Sequence, residues 1–218
     1  MKPRVLIDTA EIPGGGELRL FKRDAEFSIM LGPNELMNSR RSGSEEALAT
    51  LACSRMPKGQ RPAMLIGGLG MGFTLRAALG VLPSDACVTV AELVPAVVAW
   101  ARGPMAEVFG SSLDDPRVRI VEGDVTDLIR SASTAYDAIL LDVDNGPDGL
   151  TREENDRLYD ARGLRAVRTA LRPGGVLAVW SSAPDRGFTA RLKRVGFEVE
   201  ESVVRSHGAR HVIWLAKS

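Results

Sequence analysis

Apolar and polar positions along the chain follow two rhythms. Up to about Leu31, short extended runs at 4–8, 18–22 and 27–31 are separated by Pro13-Gly14-Gly15-Gly16 and other turn residues. Runs of that kind, bounded by glycine and acid clusters, predict a small β appendage, and Gly32-Pro33-Asn34 closes it. A polar stretch from Glu35 to Gly43 follows. Ser44-Glu45-Glu46 then opens an apolar helix through Leu48, Leu51 and Ala52, with Ser44 as N-cap and acids in the first turn, where the helix dipole favours them. Residues 57–62 read as a linker.

From residue 63 onward, short apolar runs alternate with segments whose apolar residues recur at helical spacing. Strands are predicted at 63–66, 87–91, 117–121, 138–141 and 176–180. Helices are predicted after Gly72, around Pro95 with Val94, Val97, Val98, Ala101 and Met105 on one face, and from Asp124. A long helix carries Leu158, Ala161, Leu164, Val167 and Leu171 and is stopped by Pro173-Gly174-Gly175. Repeated β-then-α units imply a parallel sheet covered by helices on both faces. After a helix at 188–195, runs at 197–204 and 210–216 are joined only by the turn Ser206-His207-Gly208. That is too short for a helical crossover, so they pair as an antiparallel hairpin. The layout resembles the class I S-adenosylmethionine-dependent methyltransferase fold, an α/β Rossmann-like architecture. The resemblance implies a mostly parallel seven-stranded sheet with a C-terminal antiparallel hairpin. The expected division is 1–43 as the N-terminal β segment and loop, and 44–218 as the S-adenosylmethionine-binding domain.

Composition narrows the function. The 218 residues carry 28 basic and 28 acidic side chains, with zero formal net charge. A nucleic-acid binder would show a basic excess or stripe, and a membrane-surface role is disfavoured for the same reason. With 44% hydrophobic and 26% charged residues the chain reads as an ordinary globular protein of one large domain, alone or with a small appendage. No stretch approaches the roughly 18 apolar residues of a membrane span, and the start MKPRVLIDTA is too short in apolar residues for a signal peptide. Cys53 and Cys87 lie in apolar surroundings and read as buried thiols in a reducing cytoplasm. Two cysteines and two histidines, unclustered, give no zinc pattern.

Gly67-Gly68-Leu69-Gly70-Met71-Gly72 directly follows the first parallel strand and opens a helix, where an open α/β sheet binds its ligand. Phe73 stands where a dinucleotide fingerprint needs its last glycine or alanine. Glu92 ends the second strand about 20 residues beyond Gly72, the place of an acid that bonds ribose hydroxyls. Gly123-Asp124 follows the third strand; Asp124 reads equally as a helix N-cap and as a cofactor contact. The fourth strand runs into Asp142-Val143-Asp144-Asn145-Gly146-Pro147-Asp148. Turn chemistry explains Asn145 onward, but Asp142 directly follows an apolar strand, and partial burial would raise its pKa toward that of a useful base. A Mg²⁺ site in this loop is the lesser alternative, because adjacent acids in one short loop rarely enclose an octahedral ion; no metal is expected.

These stretches together, from Gly32 through Glu46 into GGLGMG, then VTVAELVPAVV, RVRIVEGD and YDAILLDVDNGP, resemble the spermidine synthase family. That family is a branch of the methyltransferase fold that moves an aminopropyl group from decarboxylated S-adenosylmethionine to a diamine. The resemblance implies nucleoside binding by Gly67, Gly68, Gly70, Gly72, Glu92, Gly123, Asp124 and Asp142, and an acceptor-amine role for the loop from Asp142 to Asn145. It also implies a homodimer. The chain departs from the family in several places. Gly70 replaces the aspartate that holds the donor ammonium, Arg40-Arg41-Ser42 replaces a D-E-F run, Ser44 a tyrosine, and Glu35 a glutamine. The family's second loop aspartate falls at Asn145, with Asp144 one residue early.

Two arginines in the path of a polycation would repel it, whereas they would fork to an anionic acceptor or to a donor carboxylate. The expected function is therefore a transferase of this branch that uses S-adenosylmethionine itself to methylate a small molecule, in the cytoplasm. Asp142 or Asp144 is the expected proton acceptor, and Glu35, Arg40, Arg41 and Asn145 are the expected substrate contacts. The alternatives are a polyamine aminopropyltransferase using decarboxylated S-adenosylmethionine and an adenosyl-nucleoside-binding protein without turnover. A NAD-dependent oxidoreductase ranks last, since His207 and His211 only flank the terminal turn.

Overall fold

A computed structural model describes residues 3–40, 42–143, 157–206 and 208–218. Four strands, β1 (Val5–Glu11), β2 (Glu17–Arg23), β3 (Glu26–Leu31) and β4 (Asn34–Asn38), form an antiparallel sheet in that order. The last lies where a polar stretch was read from the sequence. Its polar side chains hide a strand that pairs with β3 through a register shift between Ile29 and Met30. Period-2 patterning does not show such a strand, because its apolar residues, Leu36 and Met37, are adjacent and half-buried, and its most buried residue is the polar Asn38.

α1 (Gly43–Arg55) follows, with Ser42 in the N-cap position. Ser44, expected in that role, is instead buried inside the first turn, and its hydroxyl donates to the Glu45 carboxylate at 2.6 Å. The main domain continues with β5 (Ala63–Gly67), α2 (Phe73–Val81), β6 (Cys87–Glu92), α3 (Pro95–Arg102) and α4 (Ala106–Phe109). Then come β7 (Val118–Glu122), α5 (Val125–Ser131), β8 (Tyr136–Leu141), α6 (Ala161–Ala170), β9 (Leu171–Ser181), α7 (Arg186–Val195), β10 (Glu198–Ser206) and β11 (Ala209–Lys217). The 7-stranded sheet runs β10-β11-β9-β8-β5-β6-β7, with β11 antiparallel to both its neighbours and the rest parallel.

The helix expected through Leu158 and Leu171 is shorter than its apolar stripe. Asp160 caps it by accepting from the amides of Arg162 and Gly163, both at 2.7 Å, which leaves Leu158 ahead of the cap. Leu171 already pairs with Tyr136 in β9, and the ladder resumes at Val176 after the Pro173-Gly174-Gly175 irregularity.

Alternation along the central strands sorts two cores. Met64, Ile66, Ala138 and Leu140 face one side of the sheet, and Leu65, Ile139 and Leu141 the other, all without exposed surface. Leu18, Leu20, Phe27 and Ile29 of the N-terminal sheet join the first core. That sheet therefore packs on the main domain, and the Trp100 indole donates to Asp8 at 2.7 Å across the junction. Both cysteines are free. Cys53 is partly buried, and burial pushes its thiol up to about 11. Cys87, expected inside, is exposed at the start of β6. Among the described residues no helix is long and apolar enough to cross a membrane.

Candidate active site

Strand order reverses at β5, whose neighbours are β6 and β8, and a crevice opens beyond the carboxyl ends of these strands. The glycine loop fills the turn from β5 to α2. The Gly68 amide bonds the Ala91 carbonyl at 2.8 Å and the Gly72 amide the Leu69 carbonyl at 2.8 Å. Two of the glycines are required by contact as well as by conformation. A Cβ on Gly68 (φ +87°) would lie 3.0 Å from the Asp142 carbonyl oxygen, and one on Gly72 (φ +73°) would lie 2.4 Å from the Phe109 ring. The loop thus passes close under the end of β8 on one side and against α4 on the other.

Glu92, 7% exposed, clamps that loop from β6. One carboxylate oxygen accepts from the Leu69 amide and the other from the Val94 amide, both at 2.9 Å. Burial raises its pKa, and these amides together with those of Gly70 and Leu93 oppose the rise. Asp124 caps α5, accepting from the Thr126 amide at 2.7 Å. The Gly123 amide beside it bonds the Glu92 carbonyl at 2.8 Å.

These groups surround one lobe of the crevice, a cavity of about 160 Å³ lined by Gly68, Gly70, Glu92, Gly123, Asp124 and Asp142, with Ile12, Leu18, Leu36 and Met37 of the N-terminal sheet opposite. Gly67 and Gly72 shape the turn without lining the cavity. Asp124 caps a helix and also lines the lobe.

A second lobe of about 150 Å³ shares Leu36, Met37, Gly68, Gly70 and Asp142 with the first and adds Glu45, Phe73, Thr74 and Trp180. Asp142 stands between the two. Thr74, itself buried, holds one of its oxygens at 3.2 Å. Desolvation, reinforced by the neighbouring charge of Glu45 and opposed by the Thr74 bond, pushes the Asp142 carboxyl up to about 7. A carboxylate that ionises near neutrality at the edge of a ligand cavity is suited to accept a proton.

Glu45 and Trp180 of this lobe, and His211 beside it, escaped sequence reasoning. Glu45 was legible only as a first-turn acid of α1, and Trp180 only as an apolar residue of a strand. His211 stacks on Trp180, ring centroids 5.0 Å apart at 29°. It flanks the terminal turn and is partly buried; desolvation lowers its pKa against an opposing pull from Glu45.

Of the expected substrate contacts from the N-terminal part, Glu35 and Arg40 line neither lobe. Arg4 takes Glu35 at 2.6 Å, and Asn38 donates to Glu35 at 2.8 Å. Some burial pushes the Glu35 carboxyl up, but the Asn38, Ser28 and Arg4 partners outweigh it and leave the pKa lowered. Arg40 pairs with Glu26 at 3.1 Å. Arg41, Asp144 and Asn145 lie outside the described residues. Among the described residues no group of three or more His, Cys, Asp or Glu is placed to hold a metal ion.

The family model for the spermine/spermidine synthase domain matches residues 42–185, from the start of α1 to the cap of α7. The chain belongs to this family. A polyamine aminopropyltransferase of Korarchaeum cryptofilum is 30% identical over 69% of this chain and 42% of its own length. Putrescine N-methyltransferase 1 of Nicotiana tabacum is 32% identical over 61% of this chain and 33% of its own. The chain thus spans less than half the length of these curated relatives. The structure of spermidine synthase from Thermotoga maritima superposes with a TM-score of 0.77 at 19% identity, covering 97% of this chain and 72% of that one. The chain therefore shares its sequence signature with this family and its fold with a spermidine synthase structure.

Proposed function

We propose that this chain transfers an aminopropyl group from decarboxylated S-adenosylmethionine to a small amine. The observation that carries the reading is the Asp142 carboxyl, raised to about 7 and facing, with Glu45, a lobe that no Lys, Arg or His among the described residues lines. Such a lobe suits a cationic acceptor. The expectation of an anionic acceptor rested on Arg40 and Arg41; Arg40 is committed to Glu26, and Arg41 lies outside the described residues. The name of the Korarchaeum relative points the same way, against the methyl transfer expected from the sequence.

The first lobe fits an adenosyl donor. The backbone at Gly68 approaches so closely that a Cβ would meet the Asp142 carbonyl oxygen. Glu92 and Asp124 face the cavity with carboxylates that accept from backbone amides and retain further lone pairs. Glu92 would hold the ribose hydroxyls, and Asp124 the adenine amino group. Once bound, such a donor supplies a carbon activated by a positively charged sulfur that leaves as a neutral thioether. Asp142 accepts the proton that the amine nitrogen sheds as its bond to that carbon forms. Thr74 fixes one Asp142 oxygen and so orients the other. Leu36 and Met37 wall both lobes and Trp180 the second, which excludes water, while the loop and Glu92 hold the reacting groups in line.

Incubation with decarboxylated S-adenosylmethionine and putrescine is expected to release methylthioadenosine, and Asp142→Asn is expected to lower kcat by about 100-fold or more. Absence of methylthioadenosine from the wild type across a panel of amines overturns the reading. One observation favours a second reading, methyl transfer to the same amine from S-adenosylmethionine. Gly70 offers no acid against a donor carboxylate, and the Met37 sulfur lies 3.2 Å from where its Cβ would be. The Nicotiana relative is named as a methyltransferase. Production of adenosylhomocysteine in place of methylthioadenosine decides for it.

A further inference from the structure

Glu45 sits in the first turn of α1, and the Ser44 hydroxyl fixes one of its carboxylate oxygens at 2.6 Å. The buried Thr74 hydroxyl lies 3.2 Å from an Asp142 oxygen and 3.5 Å from the Glu45 carbonyl oxygen. It therefore ties the start of α1 to the end of β8, and two carboxylates from separate elements come to face one cavity of about 150 Å³. Among the described residues Glu45 forms no ion pair, whereas Glu26, Glu35 and Glu200 all do. Like charges converging in a partly desolvated cavity repel unless a cation lies between them. The rest of the cavity is not built for a metal ion, which needs a shell of oxygen ligands; Leu36, Met37 and Trp180 supply apolar walls. An alkylammonium meets both demands, since its three N–H donors satisfy carboxylates and its methylenes pack on apolar surface.

We propose that Glu45 is the ammonium-binding carboxylate of the Trp180 lobe and sets the specificity of this site for an aminoalkyl group. The assignment rests on the reading that the site transfers to or from amines. Gly70 carries no side chain, so the glycine loop itself contributes no carboxylate, and among the described residues Glu45 is the acid that lines this lobe beside Asp142. The ammonium it holds belongs either to the acceptor or to the aminopropyl end of the donor, and these share one chemistry.

The test is steady-state kinetics of the whole chain with decarboxylated S-adenosylmethionine and putrescine, comparing wild type, Glu45→Gln and Glu45→Asp. Glu45→Gln is expected to raise one KM about tenfold or more with kcat within about threefold, the loss expected when a charged hydrogen-bond partner is neutralised. Glu45→Asp restores most of the affinity. A rise in the putrescine KM assigns the acceptor, and a rise in the donor KM assigns the donor's own ammonium. Methylthioadenosine, which has no ammonium, binds both variants as it binds wild type by calorimetry, so a folding defect is distinguished from a lost contact. Unchanged KM values for both substrates, or a rise that Glu45→Asp fails to reverse, overturn the assignment. If the wild type turns over no amine, putrescine is titrated into the methylthioadenosine complex. Binding weakened by Glu45→Gln then keeps Glu45 and discards the transfer reading, and no binding discards both.

Discussion

Asp142 shows how one position acquires chemistry from its surroundings. It directly follows an apolar strand, and that much of its desolvation is legible in the sequence. The Glu45 charge that adds to the shift comes from a helix about a hundred residues earlier. The raised pKa has two consequences. Asp142 must be ionised to accept a proton, so kcat/KM is expected to fall below about pH 7. The charged and titratable groups facing it are Glu45 from α1 and, beyond Glu45, His211 from β11; Glu45→Gln, which removes the repulsion, should therefore move the acid limb to lower pH.

The second consequence concerns stability. A carboxyl whose folded pKa lies above its unfolded value stabilises the fold fully only at low pH, and that contribution is lost as pH rises through the folded value. Asp142→Asn should therefore raise Tm at pH 8 by a few degrees, on the order of 2 kcal/mol after allowing for partial solvent contact. The gain should shrink as pH falls toward 4. Equal Tm values at pH 8 would show that Asp142 ionises normally. Gly72 gives the steric counterpart at this scale. Gly72→Ala would force a Cβ to within 2.4 Å of the Phe109 ring at a positive φ, and a loss of about 2–4 kcal/mol in denaturant unfolding is expected.

Elements place these residues, and capping decides several of their boundaries. Asp124, Asp160 and Asp185 each accept backbone amides at a helix start, and aspartate at an N-cap is readable in sequence. α1 resisted that reading because its start is fixed by packing: Ser44 turns inward to Glu45, and no side chain caps the helix. β4 resisted it because edge pairing with β3, rather than alternation, makes the strand. Asp124 is the residue on which cap and ligand roles separate experimentally. Asp124→Ser preserves an N-cap acceptor, so unfolding free energy should stay within about 0.5 kcal/mol, while affinity for methylthioadenosine falls about tenfold through loss of a charged acceptor. A variant that binds the nucleoside like wild type would leave Asp124 with a capping role alone.

At the scale of the whole molecule, the crevice belongs to two sheets. The parallel sheet contributes the glycine loop, Glu92, Asp124 and Asp142; the N-terminal sheet contributes Leu36 and Met37 to both lobes. A ligand seated there contacts both layers, so methylthioadenosine should stabilise them as a unit. At 100 times its Kd the gain is about 2.7 kcal/mol, and hydrogen exchange should slow at β4 as well as at the glycine loop. Protection confined to the parallel sheet would show that the N-terminal sheet takes no part in binding.

What the sequence determined by itself is local or repeated: the β/α alternation with its terminal hairpin, the glycine turn, and the acids at the strand ends. Each of these follows from backbone geometry and from periodicities of two and 3.6 residues that any stretch of chain carries within itself. Tertiary structure decided the rest, because contact and electrostatics act through space. It paired Arg40 with Glu26 and Glu35 with Arg4, which removed them from the crevice. It brought Glu45, Thr74 and Trp180 from three distant elements to Asp142. The charge that faces the ligand is the sum of these placements, so Arg40, prominent in sequence, yielded to a pair of carboxylates.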